Sequence, residues 1–406
     1  MAAADRPSDA TPLPGWKRVL FSLVLLGVVW ASLEGIAYAY LRLATGWSGG
    51  ALYEFDFDPY RIVHPARNYV DTRGLRHNAQ GFRRDTDVER RKEPGTIRVF
   101  LMGGSTAYGT GGLWPHIDPN WPVLTNQQTI DHFLERELSS RFPGRKVEVI
   151  NAAVTSTWTH HHLIYVNQTI LNYDPDVVVF LDGFNDFFFY GKGHDQFAAY
   201  AYGEMASKIM GPPTLGSLAS ANAWWLYRKD PLSHVVIKTV RGISARRAPE
   251  EGRPPIEVDS ALAGLREVFP RSAGKMHRRL ALILRDEGVD AMFLLQPMLA
   301  MESGAKPLTP TEVELRRYML ASWLPRYDEY LRQAVGFVNA EESRMATELG
   351  AHYFDLTGIY AGVKEQIYTD YCHLTPLGNE LLARYVADRL APIVEKRISG
   401  AAPAGA

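Results

Sequence analysis

Three short segments carry residue types that could perform acyl chemistry together. Gly103-Gly104-Ser105-Thr106 offers a hydroxyl just past the apolar run 97–102. The two glycines there permit a tight turn that leaves backbone N–H groups facing a developing oxyanion. Asp182-Gly183-Phe184-Asn185-Asp186 follows the apolar run 177–181. The amide of Asn185 can donate a hydrogen bond into the same crevice, which an ionised Asp186 cannot do. Asp370-Tyr371-Cys372-His373 sets a carboxylate three residues before an imidazole, close enough to bond Nδ1–H and leave Nε2 free as a base. Each segment alone reads more readily as an ordinary turn or loop than as a site. Their shared setting, at strand ends or before the last helix, joins them.

Positioning these groups requires a scaffold of alternating strands and helices. The runs 97–102, 147–150, 177–181 and 291–295 are short and almost wholly apolar, with a weaker fifth at 351–355. Amphipathic stretches at 129–138, 163–171 and 278–285 lie between them. Continuous apolar strands separated by helices imply an α/β fold with a parallel sheet covered on both faces. Thr375 as N-cap and Pro376 at the first helical position start a final helix directly after His373. Asn78-Ala79-Gln80-Gly81-Phe82-Arg83 reads as a turn followed by an anchoring aromatic.

The 406 residues include 46% hydrophobic and 22% charged residues, proportions that exclude a disordered or collagen-like chain. A formal net charge of -1 gives no electrostatic reason to expect nucleic acid as a partner. The single cysteine, Cys372, cannot form an internal disulfide or a cysteine-based zinc site; burial as a small apolar residue is its expected role. His160-His161-His162 cannot converge on one ion from consecutive positions, and no His-Glu-x-x-His pattern accompanies them. No metal or cofactor is therefore expected, although one of these histidines can line the crevice rim near Ser156.

The N-terminus holds a local extreme. From Val19 to Leu41 about 23 residues are interrupted by one charge, Glu34, and bounded by Lys17, Arg18 and Arg42, which suffices to cross a hydrocarbon core of ~30 Å. The basic residues Arg6, Lys17 and Arg18 precede the run and only Arg42 closely follows it, an asymmetry that leaves the N-terminus cytoplasmic and the rest extracytoplasmic. Tyr38 and Tyr40 suit the far interface. Ala37-Tyr38-Ala39 also has the small-residue spacing of a signal-peptidase site, so a cleaved leader is the alternative, and a buried soluble helix a further one. The expected organisation is a tail at 1–16, an anchor at 17–43, a connector at 44–95, a catalytic domain at 96–396 and a disordered end at 397–406. Residues 191–274 break the alternation and read as a partly helical insertion, either a lid or a solvated decoration. Aromatics around 190–230 can form a sugar-stacking surface or cover a core.

In this order and setting the chain resembles the SGNH (GDSL-like) hydrolase family. Gly103-Gly104-Ser105 matches its nucleophile block, Asn151-Ala152-Ala153-Val154-Thr155-Ser156 the second, Gly183-Phe184-Asn185-Asp186 the third and Asp370-Tyr371-Cys372-His373 the last. The resemblance covers about 97–190 and 275–395. It implies a three-layer α/β/α, flavodoxin-like fold with a central parallel sheet, and an esterase mechanism. Ser105 would attack an ester carbonyl, His373 would act as general base and Asp370 would orient the imidazole. The N–H groups of Ser105 and Ser156 and the side chain of Asn185 would hold the oxyanion. Two positions depart from the family pattern. Gly104 stands where the family usually has Asp, and Ser156 stands where it usually has glycine, adding a Cβ that narrows the crevice and restricts φ.

An exported domain of this kind is expected to act on an acylated carbohydrate or lipid, such as O-acetyl groups of envelope polysaccharide or glycolipid. The same acyl-enzyme could instead pass its acyl group to a sugar hydroxyl, as an O-acetyltransferase. A glycan-binding or assembly scaffold without turnover is the non-enzymatic alternative. Oligomeric state is not legible in the sequence.

Overall fold

A computed structural model describes residues 14–45, 47, 49–58, 62–71, 73–121, 123–190, 222–223, 225–245, 255–302 and 304–400. The N-terminal helix α1 (Gly15–Thr45) leads to an antiparallel hairpin, β1 (Phe55–Asp58) and β2 (Ile62–Pro65). The sheet strands are β3 (Ile97–Gly103), β4 (Val147–Asn151), β5 (Val177–Asp182), β6 (Asp290–Leu295) and β7 (His352–Asp355), within about one residue of the expected runs. They form one five-stranded parallel sheet in the order β4-β3-β5-β6-β7. Every residue of β3 and β5 is buried, as strands sandwiched between helical layers require.

Two helix groups cover the sheet. On one side α3 (Ile130–Arg141) packs against α11 (Pro376–Gly400). The other group contains α4 (Thr159–Gln168), α7 (Val258–Val268), α8 (Ala273–Asp286) and α10 (Tyr327–Leu349). Phe180 of β5 stacks on Phe293 of β6 with ring centroids 5.0 Å apart, fixing the lateral register of the two central strands. Four shorter or peripheral helices are also described: α2 (Ser105–Tyr108), α5 (Phe184–Tyr190), α6 (Pro231–Ala245) from the insertion and α9 (Pro310–Tyr318).

The chain begins its sheet at β3, adds β4 on one side and then crosses to place β5 on the other. That reversal makes the carboxyl ends of β3 and β5 the topological switch point, where open α/β sheets form their ligand crevice. Ser105 follows β3 and Asn185 follows β5, so the fold delivers both to one place.

The stretch expected to be a plain connector is more structured than its periodicity suggests. Phe55, Val63, Leu75, Phe82 and Val88 are buried in the main core. Asn78 Oδ1 accepts the N–H groups of Gln80 and Phe82 at 3.1 and 2.9 Å, closing the expected turn. Arg83 beyond it is buried, donating to the carbonyls of Tyr108, Gly109 and Leu124 and to Asn126 Oδ1. These bonds satisfy the guanidinium and clamp the end of the helix that carries Ser105. Of the insertion, α6 and α7 are helical as expected. Residues 191–221, Trp224, Arg246 and Arg247, with most of the 1–16 tail and 401–406, lie outside the described residues.

Candidate active site

Ser105 opens α2 at the end of β3, His373 and Asp370 precede α11, and the crevice brings them into one hydrogen-bonded line. The Ser105 hydroxyl lies 2.7 Å from His373 Nε2, and His373 Nδ1 lies 2.6 Å from Asp370 Oδ2. With Nδ1 protonated, Nε2 is left as the acceptor for the serine proton. Asp370 is fully buried, yet its carboxylate also accepts N–H bonds from Leu113, Cys372 and His373 at 2.9 to 3.0 Å. Burial alone would push this carboxyl up; the His373 imidazole and the backbone donors outweigh it and hold it below its ordinary value. The result is a fixed negative charge that orients the imidazole.

The helix after His373 starts as its sequence implies, with Gly378 N–H donating to Thr375 Oγ1 at 3.2 Å. This cap fixes where α11 begins and so where the Asp370–His373 turn must stop. Cys372 is buried between the two, and burial pushes its thiol well above the ordinary range. Thr106 Oγ1 donates to Cys372 O at 3.3 Å, and Gln296 from the end of β6 donates to Thr106 at 3.3 Å. Asp370, Cys372 and His373 bring a carboxylate, a thiol and an imidazole within 4.8 Å of one another. The Cys372 thiol stays protonated and both imidazole nitrogens of His373 are already engaged, by Asp370 and Ser105.

Asn185, in the first turn of α5, donates from Nδ2 to Thr157 O at 2.7 Å. A Cβ placed on Gly104 would stand 2.9 Å from that nitrogen and 3.2 Å from Thr157 O. A side chain at position 104 would therefore push the Asn185 amide out of its present place. Ser156 takes φ +64°, a left-handed conformation natural to glycine and costly for serine. The backbone at this position therefore keeps a glycine-like path despite the substitution.

The three histidines separate, as consecutive positions on a helix must. His160 Nε2 lies 2.9 Å from Ser272 Oγ, and His162 Nε2 lies 2.9 Å from Asp182 Oδ1. His161 is buried, and burial lowers it to about 3.

A second buried polar network lies beneath the crevice floor and was not singled out from sequence. Glu342 Oε1 accepts from His277 Nδ1 at 2.9 Å, His277 Nε2 meets Thr159 Oγ1 at 3.2 Å, and Thr159 donates to Asp186 Oδ1 at 2.9 Å. Burial lowers His277 but the Glu342 carboxylate raises it more, to about 9. Asp186 is pushed up to about 7 by burial and by the nearby Asp182. The network's contacts join positions 27, 65 and 118 residues apart in sequence, so no local motif could have revealed them.

The fold and site together define an α/β protein with a Ser-His-Asp constellation at the switch point of a parallel sheet. Among solved structures it is similar to an acetyl xylan esterase, AlAXEase, with 12% identity, 73% of this chain and 100% of that chain covered, and a TM-score of 0.37. It is also similar to an extracellular lipase from Streptomyces rimosus (10% identity, 72% and 99% covered, TM-score 0.37) and a lipase/acylhydrolase from Enterococcus faecalis (14%, 72% and 95%, TM-score 0.35). No family model matches the chain, and no curated protein matches it. At these identities the functional reading stands on the site's own geometry.

Proposed function

We propose that the protein is a membrane-anchored serine esterase that cleaves short acyl esters through an acyl-enzyme. The observation that carries this reading is the line from half-buried Ser105 through buried His373 to buried Asp370, with contacts of 2.7 and 2.6 Å. In the proposed reaction His373 Nε2 takes the Ser105 proton as Oγ attacks the ester carbonyl. The carbonyl oxygen gains the charge and is held by the N–H groups of Ser105 and Ser156 and the Asn185 amide. His373 then returns the proton to the departing alkoxide, and water repeats the sequence to free the acid.

The proposed location is extracytoplasmic. α1 is the one described helix long and apolar enough to cross a membrane. Retention of this helix, as opposed to cleavage after Ala39, is supported by the packing of Ala37 and Leu41 into the domain and by the bond from Leu232 N–H to Glu34. Acyl groups on envelope polysaccharide or glycolipid are the substrates such a placement favours.

Ser105→Ala should abolish both labelling by a fluorophosphonate and hydrolysis of p-nitrophenyl acetate. Asp370→Asn should retain the fold and lose on the order of 10⁴ in kcat, because the imidazole is left in the wrong tautomer. Wild-type turnover by either variant would overturn the assignment.

A further inference from the structure

We infer, on the reading of Ser105, His373 and Asp370 as a catalytic triad, that Glu312 is a positioning residue for that triad. Its carboxylate, anchored by Lys306, fixes the arm of the hairpin that presents Asp370 and His373 to Ser105.

Asp370 and His373 stand at the tip of a short hairpin. Tyr368 and Leu374 form an antiparallel bridge, Thr369 N–H donates to His373 O at 2.9 Å, and Thr375 N–H donates to Ile367 O at 2.7 Å. The arm that leads to Asp370 is held at Ile367 and Tyr368, whose successive N–H groups both donate to Glu312 Oε1, at 2.8 and 3.1 Å. Successive N–H groups turned to one side favour an anion. The Tyr368 hydroxyl donates to Glu302 Oε1 at 2.7 Å. The loop 112–121 grips the hairpin as well. Leu113 N–H reaches Asp370 Oδ2 at 2.9 Å, Gln366 Nε2 donates to Asp118 Oδ2 at 2.5 Å, and a Cβ on Gly112 would stand 2.9 Å from Thr369 O.

Glu312 does more than its own helix asks of it. Thr309-Pro310-Thr311-Glu312 is a capping box at the start of α9, with Glu312 N–H donating to Thr309 Oγ1 at 3.3 Å and Thr309 N–H to Glu312 Oε2 at 2.9 Å. That box uses one carboxylate oxygen and leaves Oε1 for the hairpin. Oε2 also accepts from Lys306 Nζ at 2.8 Å, and the same ammonium donates at 3.1 Å to the carbonyl of Glu365, just before the hairpin arm. Neither side chain of the pair reaches solvent. Burial alone would push Glu312 up, but Lys306 and the N–H groups of Thr309, Ile367 and Tyr368 outweigh it and hold the carboxyl below its ordinary value.

A buried ion pair is a poor device for stability alone, since apolar residues of similar volume often serve as well or better. What an apolar residue at position 312 cannot supply is an acceptor for Ile367 and Tyr368. That acceptor bears on the reaction because His373 Nε2 must meet the Ser105 hydroxyl, 2.7 Å away. A misplacement of about 1 Å can cost ~10² in rate.

The test uses the full chain in detergent, assayed well below every melting temperature with p-nitrophenyl acetate and with a fluorophosphonate. Glu312→Asp keeps both charges of the pair but withdraws the acceptor by about one C–C bond, ~1.5 Å. It should lower kcat roughly tenfold with KM within about twofold, and slow fluorophosphonate labelling by the same factor, because both depend on the Ser105–His373 contact. Lys306→Met/Glu312→Gln removes both charges but keeps an acceptor oxygen at full reach, and should hold kcat within about threefold of wild type. Leu284→Ala, in the core on α8, supplies a loss of stability unconnected with the hairpin and should leave kcat unchanged. Wild-type kcat and labelling by Glu312→Asp would overturn the proposal and leave the triad intact. A glutamine double variant as slow as the aspartate form would overturn it too, since charge and not reach would then decide. Should Glu312→Asp not fold, Lys306→Met/Glu312→Leu, which leaves no buried charge unpaired, carries the same expected loss and the same overturning result. Hydrolysis that persists in Ser105→Ala would overturn the triad, and the positioning role with it.

Discussion

The side-chain amide of Asn185 approaches Gly104 so closely that a Cβ on that glycine would stand 2.9 Å from Nδ2. The bare Cα of Gly104 leaves the room that the Asn185 amide occupies. Thr157 O, bonded to the same nitrogen at 2.7 Å, aims it.

Gly104→Ala is accordingly expected to displace the amide while leaving the Ser105–His373 contact in place. Loss of one oxyanion donor costs ~10²–10³ in kcat, and the alanine variant should lose about 10²-fold. Steady-state hydrolysis of p-nitrophenyl acetate, with circular dichroism to confirm folding, measures it. An unchanged kcat would remove Asn185 from the proposed oxyanion site.

Ser156 holds φ +64°, which costs a residue with a Cβ about 1–2 kcal/mol relative to glycine, offset in part by glycine's extra freedom when unfolded. Ser156→Gly should therefore be neutral or slightly stabilising and keep full activity. Ser156→Val, β-branched and poorly suited to this region, should lose about 1–2 kcal/mol. Thermal unfolding of the two variants in the same detergent compares them; equal stability of the glycine and valine forms would contradict the strained backbone.

The buried network below the crevice predicts a pH dependence of stability. Asp186 is raised from its ordinary 3.8 to about 7, so its contribution is complete below pH 3.8 and is lost as pH rises through 7. His277 is raised from 6.5 to about 9, so its contribution is complete below pH 6.5 and is lost as pH rises through 9. Both act in the same sense, and the melting temperature should fall across pH 4 to 9 in two overlapping steps. Asp186→Asn should flatten the lower step and His277→Gln the upper one. A melting temperature that rises over this range would show that these groups are not protonated in the native state as described.

Much of the architecture was legible because the signals are local. Short apolar runs need no partner to be recognised, so four sheet strands fall where hydropathy puts them and the fifth, His352–Asp355, where a weaker run does. Thr375 and Pro376 mark the start of α11 by their own chemistry, and Asp370 and His373 are close enough in sequence to meet in one turn. The hairpin at 55–65 was not legible, since two four-residue strands carry too little periodicity to stand out from a connector.

What the sequence alone determined are the residue types and the strand ends: Ser105, Asn185, Asp370 and His373, each at the end of a strand or the start of a helix, and one apolar run long enough to span a bilayer. Only the tertiary structure decided that Ser105 and His373, 268 positions apart, lie 2.7 Å from each other. It likewise decided that Glu34 meets α6 and that Asp186 and His277 share one buried network. The physical reason is that burial and hydrogen bonding between distant segments depend on strand order and helix packing. Here the crossover from β4 to β5 creates the crevice, and no local pattern encodes it.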